Sequence, residues 1–322
     1  MFVKKDTHKV AILVYPDAQI LDIAGPLEVF ARTSRWLTLQ GHYSAQAYTI
    51  ELVAEKQGLV KTSGGLAMQA EQSFASFTGC DTLLVTGGIG FSNAMQNEVI
   101  LRWLQAQRQN CERLGSICTG ALVLAAAGIL DGHAATTHWE YLQLLAANTK
   151  NCEVRNNVLF VQSDNIFTSA GVTAGIDMAL ALVEQDYGKS VATAVAEQLL
   201  LERRRGATQP QKSRFLEAEK RTDRFGDLQL WILQNLAGNL TVNSLAERMA
   251  MSSRHFARQF KEHTGVTVAD YINQVRTEEA LRLMETGVSS HKDIARQSGF
   301  SSEQHLRRAL QRHSVGAIQN SR

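Results

Sequence analysis

The sequence predicts an α/β domain, a mostly parallel sheet sandwiched between helices, followed by an all-α domain with two helix-turn-helix units. Three observations carry that expectation. Up to about residue 200, apolar runs too continuous to have a wet face alternate with helical patterns, the signature of strands buried on both sides by crossover helices. The stretch RRRGATQPQKSR then breaks the alternation with a basic run, Gly206 and Pro210, a composition that resists core packing. Beyond it no proline occurs and the pattern is helical. The boundaries read as residues 1–205 for the first domain, 206–222 for a basic linker and 223–322 for the second. Each half is long enough to bury its own core.

In chain order, residues 10–15 (VAILVY) and 81–86 (DTLLVT) read as buried strands, the second ending in Gly87 and Gly88. Residues 113–118 (RLGSIC) read as a third, running into a small-residue helix over 119–127. Residues 158–161 and 166–168 read as a strand pair, with helices at 26–36, 99–110, 138–147, 175–187 and 190–201. The longest apolar run, 121–130, is too short to cross a bilayer and contains Gly128. The N-terminus, MFVKKDTHKV, enters a strand without the apolar segment of a secretory signal. A cytoplasmic location is the expectation.

The net charge of +2 hides an asymmetry: residues 1–202 carry −6, residues 203–221 carry +5 and residues 222–322 carry +3. An acidic front with a basic rear suits a chain whose rear meets phosphate. Cys80, Cys111, Cys118 and Cys152 stand far apart with no CxxC pair, which excludes a zinc knuckle or disulfide framework. Cys80 and Cys111 flank strands and are expected to fill core space, whereas Cys152 sits in a polar loop. His8 and His42 carry no partner pattern, and neither a metal nor a cofactor is expected.

In the rear half, residues 241–249 form a short helix with Leu245, Ala246 and Met249 on one face. A turn through Met251 and Ser252 follows, with serine available to cap the helix over 253–263. That helix turns Phe256 and Phe260 inward and leaves Arg254, Arg258 and Gln259 outward, and Gly265 marks its stop. The layout repeats: a short helix over 293–298, a turn at Gly299, and a helix from Ser301 and Ser302 to 313. Leu306 and Leu310 point in while Glu303, Gln304, Arg307 and Arg308 point out. A long amphipathic helix over 268–284 lies between the two units.

With Leu245-Ala246, Met251-Ser252, Phe256, Arg258, Phe260, Thr264-Gly265, Arg276, Ala280, Leu283, Ile294-Ala295, Gly299-Phe300, Ser302, Leu306 and Arg308, this half resembles the AraC/XylS family. The resemblance implies double-stranded DNA as partner, with the second helix of each unit in the major groove. Carried over by position, the readers are Arg254, Ala257 and Arg258 in the first unit and Glu303, Gln304, Arg307 and Arg308 in the second. Arg can bond guanine bidentately, Gln can pair with adenine, Glu can accept from cytosine, and Ala257 can touch a thymine methyl. After the second reader the family usually continues with Phe-Gly-x-Ser-Pro; this chain reads HSVGAIQNSR instead.

In the front half, Gly115-Ser116-Ile117-Cys118-Thr119-Gly120 sets a cysteine between a buried strand and a small-residue helix, the geometry of a nucleophile elbow. The helix dipole there is expected to favour thiolate. Gly87 and Gly88 can offer backbone N–H groups, while Asp22, in a loop after the first strand, and His138 can approach the same crevice. With Tyr15-Pro16, Asp22, Gly25-Pro26, Glu28, Gly87-Gly88, Ile117-Cys118-Thr119-Gly120, Thr136-Thr137-His138-Trp139 and Ser169-Ala170-Gly171, this half resembles the PfpI-like branch of the class I glutamine amidotransferase fold. Within that branch it is similar to isonitrile hydratase and to the sensor domains of GlxA-type, FtrA-like activators. The hydratase carries Asp and Cys at the positions of Asp22 and Cys118. The branch's proteases have His where this chain has Thr119, a departure from the peptidase pattern.

The resemblance thus implies a regulator, an activator by the family's commoner behaviour. A small-molecule effector is expected at Asp22, Gly25, Pro26, Gly87, Gly88, Cys118, Thr119 and His138. RNA polymerase and a second copy of the chain are the implied protein partners. The alternative is a hydratase- or amidase-like enzyme that uses Cys118, with Asp22 and His138 as assisting groups.

Overall fold

The computed structural model describes residues 7–41, 46–201, 205–286 and 290–319; His42, Arg203 and Arg204 lie outside the described residues. The chain divides into two compact units that meet between Gln211 and Lys212.

The first unit runs β1 (His8–Leu13), α1 (Ile20–Leu39), β2 (Tyr48–Ala54), β3 (Gly58–Lys61), β4 (Ala67–Ala70), β5 (Gln72–Ser73), β6 (Thr82–Val85), α2 (Phe91–Ala94), α3 (Glu98–Gln107), β7 (Arg113–Ile117), α4 (Gly120–Ala126), β8 (Ala134–Ala135), α5 (Leu142–Ala147), β9 (Glu153–Val154), β10 (Phe160–Ser163), β11 (Ile166–Ser169), α6 (Ala174–Tyr187) and α7 (Lys189–Gln198). Seven strands form one sheet in the order β10-β11-β7-β6-β1-β2-β5, parallel throughout except for β10 against β11. From the centre, β1-α1-β2 steps toward one edge and β6-α3-β7 toward the other. Right-handed crossovers in opposite directions place α1 and α3 on opposite faces. The fully buried runs of β1, β6, β7 and β11 follow, since each is covered twice.

Two expectations change. The helix placed at 26–36 starts at Ile20, so Asp22 lies in its first turn rather than in a loop, and Pro26 sits inside it. Proline usually marks a helix start; here the start is fixed upstream, where the Gln19 N–H donates to the Gly87 carbonyl at 2.8 Å. The segment 206–222, read as linker, carries α8 (Arg214–Glu219) and buries Ala218. Its serine cap at Ser213, which accepts from the Leu216 N–H, starts that helix beyond the Gly and Pro.

At the end of the sheet where β1 and β7 begin, Arg113 donates to both oxygens of Asp186 at 2.8 and 2.9 Å, and the Tyr48 hydroxyl donates to the same carboxylate at 2.6 Å. His8 stands 3.7 Å from it. Arg113 and Asp186 are about nine-tenths buried, so each charge depends on the other for the solvation it has lost.

The second unit adds α9 (Arg224–Gln234), α10 (Val242–Arg248), α11 (Ser253–Thr264), α12 (Val268–Thr286), α13 (His291–Gln297) and α14 (Glu303–Gln319). Two cores form. Phe225, Leu245, Phe256, Phe260 and Tyr271 centre the first, and Leu283, Ile294, Ala295 and Leu306 the second. Helix α12 feeds both, through Val268, Tyr271, Ile272 and Val275 at its start and Ala280 and Leu283 further on. Caps fall where the sequence places them: Ser252 accepts from His255 N–H, Ser302 accepts from His305 N–H, and Gly265 closes α11 at φ 77°. The chain beyond the second reader, where the family pattern is lost, continues as helix to Gln319. Among the described residues no helix is long and apolar enough to cross a membrane.

Replacing Asp186 with Ala leaves Arg113 charged in the sheet's end without its partner. The expected loss of unfolding free energy is about 3–5 kcal/mol, read from urea unfolding with the slope unchanged; a loss below about 1 kcal/mol would remove this pair as a stabilising lock.

Candidate functional site

The strand order reverses direction between β1 and β6, and the loops leaving β1, β6 and β7 meet there at the carboxyl ends of the strands. Open α/β sheets bind ligands at this place. Cys118 follows β7 with φ 54°, a left-handed conformation for a side-chain-bearing residue. Its N–H donates to the Ser169 carbonyl at 3.0 Å and its carbonyl accepts from the Thr137 hydroxyl at 2.8 Å. The elbow expected from the sequence is thus held on both sides.

Asp22 is fully buried beside it. One carboxyl oxygen, Oδ2, accepts from the Gly87 N–H at 2.9 Å, while Oδ1 is buried with no hydrogen-bond partner among the described residues. Burial pushes the Asp22 carboxyl up to about 7, against a smaller lowering by Gly87. Burial, with the Asp22 charge beside it, pushes the Cys118 thiol up to about 12. The thiolate expected from the helix dipole is therefore not the state at neutral pH, because desolvation and a neighbouring carboxylate outweigh the start of α4. The Tyr15 phenol, buried next to both groups and donating to the Thr86 carbonyl at 2.6 Å, is also pushed up.

The expected oxyanion donors are already engaged. Gly87 N–H serves Asp22, and Gly88 N–H donates to the Thr119 hydroxyl at 3.0 Å. Gly87 tolerates no side chain: a Cβ there would lie 2.7 Å from Asp22 Oδ2 and from the Thr119 nitrogen. His138 caps the turn that follows it, with Nδ1 3.6 Å from a Glu140 carboxylate oxygen. Gly25 faces Ile176 of α6, where a Cβ would lie 2.9 Å from its side chain, and Pro26 is buried within α1. The structure therefore brings Asp22, Gly87, Gly88, Cys118 and Thr119 together. It gives Gly25 a packing task and sets His138 toward Glu140. Tyr15 and Thr137 are themselves matched motif positions but were missed as site residues, since nothing in the sequence directs their hydroxyls. Cys111 is buried and Cys80 and Cys152 are half-buried against the core.

In the second unit, Arg254 and Arg258 are exposed on α11 and Ala257 is half-buried at its flank. Glu303, Gln304, Arg307 and Arg308 are exposed on α14 opposite Leu306. Helical spacing adds Lys261 and Gln311, exposed on the same faces one turn on. Between the two helix-turn-helix segments lies a cleft of about 720 Å³ whose lining includes Thr241, Asn273, Arg276, His305, Arg308 and Arg312 and, among the described residues, no carboxylate.

The profile of the DJ-1/PfpI family matches residues 8–185, more than half of the chain. The chain belongs to the DJ-1/PfpI family. A helix-turn-helix domain profile matches residues 245–314. The isonitrile hydratase of Pseudomonas putida is 35% identical over 191 residues, 59% of this chain and 77% of that protein. The HTH-type transcriptional regulator CdhR of Pseudomonas aeruginosa is 28% identical across 85% of this chain and 81% of its own length. A solved ThiJ/PfpI family protein from Pseudomonas syringae superposes with a TM-score of 0.53 at 26% identity, covering 65% of this chain and 78% of that one. The hydratase likeness stops near the end of the first unit, whereas the regulators match across both. This DJ-1/PfpI domain is joined to an AraC-type helix-turn-helix domain, and the chain is built as a transcription regulator.

The raised carboxyl of Asp22 makes stability pH-dependent. Its folded value lies above the ordinary 3.8, so the folded state holds the proton more tightly. The stabilisation is present below about pH 4 and is lost as pH rises through about 7, by at most about 4 kcal/mol. Asp22→Asn should therefore unfold at a more nearly constant temperature between pH 5 and 8 than the parent. Parallel profiles for the two proteins would contradict a buried, proton-holding carboxyl.

Proposed function

We propose that the chain is a cytoplasmic, sequence-specific DNA-binding regulator, an activator, in which the DJ-1/PfpI domain binds a small-molecule effector at the elbow crevice. The functional domains follow the sequence boundaries, with the sensor reaching residue 205 and the reader beginning at 223. The effector contacts are Asp22, Gly87, Gly88, Cys118, Thr119 and the rim at His138, with Gly25 and Pro26 setting the approach of α1. The readers are Arg254, Ala257, Arg258, Glu303, Gln304, Arg307 and Arg308. The chain acts as a homodimer joined through its sensor domains and recruits RNA polymerase.

The observation that supports binding over turnover is the fate of the elbow's polar groups. The N–H groups that would stabilise a developing oxyanion serve Asp22 and Thr119, and the sulfur stays protonated. Differential affinity for two conformers, rather than chemistry, is then the output such a crevice can give.

Duplexes selected from a random pool test the DNA half. Arg254→Ala or Arg308→Ala should cost about 1–3 kcal/mol on the selected sequence and relax base preference. Arg312, on the carboxylate-free cleft, is assigned to phosphate. Arg312→Ala should weaken selected and random duplexes alike and reduce the salt slope by about one. Equal losses on both duplexes for the first two variants would overturn their assignment as readers.

One observation favours the second reading, a hydratase- or amidase-like enzyme: a proton-holding carboxyl stands beside the elbow cysteine, as expected from the hydratase likeness. Isonitriles, amides and peptides offered to the full chain should not be turned over. Turnover that disappears in Cys118→Ser would replace the binding reading with the enzymatic one.

A further inference from the structure

The segment that ends the first unit is bound down by side chains that the readings above do not use. The Arg205 N–H donates to Asp177 Oδ1 at 3.0 Å, and its guanidinium donates to Oδ2 at 2.6 and 3.0 Å and to the Thr173 hydroxyl at 2.8 Å. The Ala207 carbonyl accepts from the Leu159 N–H at 2.8 Å. At Gln211, the backbone N–H donates to Asn157 Oδ1 at 3.2 Å. Its side-chain Nε2 reaches the carbonyls of Val158 at 3.0 Å and Thr137 at 3.1 Å, with the Thr136 hydroxyl at 3.4 Å. Gln211 is the last residue of the first unit, and Lys212 opens the second.

Thr137 is the shared element. Its hydroxyl donates to the Cys118 carbonyl and its own carbonyl accepts from Gln211. Two hydrogen bonds therefore separate the left-handed elbow residue from the residue that hands the chain to the DNA reader. Thr136 and Thr137 are fully buried, so neither bond is replaced by water without a rearrangement.

The Gln211 amide is unevenly served. Nε2 has two hydrogens for three acceptors, while Oε1 is buried with no hydrogen-bond partner among the described residues. Flipping the amide would aim its oxygen at two carbonyls, so the orientation is fixed by the acceptors. An unfed buried oxygen weakens the clamp, because its lost hydration is not replaced by a hydrogen bond.

We propose that the strap 205–211 is the output of the sensor, and that movement of the Cys118–Thr137 pair switches Gln211 between clamped and released states and so sets the affinity of the DNA reader. This rests on the reading of the elbow crevice as the effector site. A ligand that touches the Cys118 carbonyl, or displaces Thr137, prefers one state and shifts the other site by the same factor, typically fivefold or more.

Hydrogen exchange of the full-length protein tests the relay without any ligand. Thr137→Val cuts the bond to Cys118 yet keeps the carbonyl that Gln211 uses. It should speed amide exchange in residues 205–211 at least about fivefold, as Gln211→Ala does, whereas Thr137→Ser should match the parent. On the duplex selected by the parent protein, both Thr137→Val and Gln211→Ala should shift affinity at least about fivefold in the same direction. The double variant should equal Gln211→Ala alone, since one path cannot be cut twice. Unchanged strap exchange in Thr137→Val, or effects on affinity that add, would overturn the relay while leaving effector binding at the crevice standing. A crevice that takes no effector would sink that reading while the exchange result still decides the relay.

Discussion

The architecture of the first unit turns on three loop ends that approach more closely than side chains allow. Where β1, β6 and β7 finish, Gly87 lies so near Asp22, Cys118 and Thr119 that a single added carbon would meet all three within 2.8 Å. Gly120 is as confined, with the Val85 carbonyl 2.3 Å from where its Cβ would stand. These absences of side chain let the Gly87 N–H reach a buried carboxyl and let Thr119 bracket Gly88. The parallel sheet supplies the convergence, and glycine supplies the distance.

Once the loops meet, the balance of polar groups governs what the crevice can do. A carboxyl buried with one satisfied oxygen holds its proton up to about pH 7, and a thiol beside it holds its own far longer. An enzyme of the same fold would need donors aimed at a reacting oxygen; here those donors already face internal acceptors. The site has the backbone of an elbow, with the Gly87 and Gly88 N–H groups bonded to Asp22 and Thr119.

In the second unit, one helix replaces what a sheet does in the first. Helix α12 contributes to both small cores, and Arg276 on it donates to the Leu236 and Gly238 carbonyls at 2.9 and 3.0 Å. Gly299 closes on the same point: its φ is 84°, and a Cβ would fall 1.9 Å from the Leu236 carbonyl oxygen. The turn of the second helix-turn-helix is thereby seated on the loop after α9. The angle between the two reading helices is thus a property of packing around α12, and the cationic cleft between them follows from it.

Much of this was legible in the sequence, for reasons local to a few residues. Continuous apolar runs marked the central strands because a strand covered on both faces has no room for polar alternation. Serines at 252 and 302 and Gly265 marked the helix ends because orphan N–H and C=O groups need those residues. The start of α1 was not legible, since the group that fixes it is a carbonyl at Gly87, 68 residues from Gln19 in the chain. Nor were the protonation of Cys118, the engagement of the Gly88 N–H, or the tie from Cys118 through Thr137 to Gln211. Sequence alone marked the central strands and the helices of the two helix-turn-helix units, because helix and strand periods are local. Tertiary structure alone decided which donors are spent and which carboxyl keeps its proton, because solvation and hydrogen-bond pairing depend on neighbours that only folding brings together.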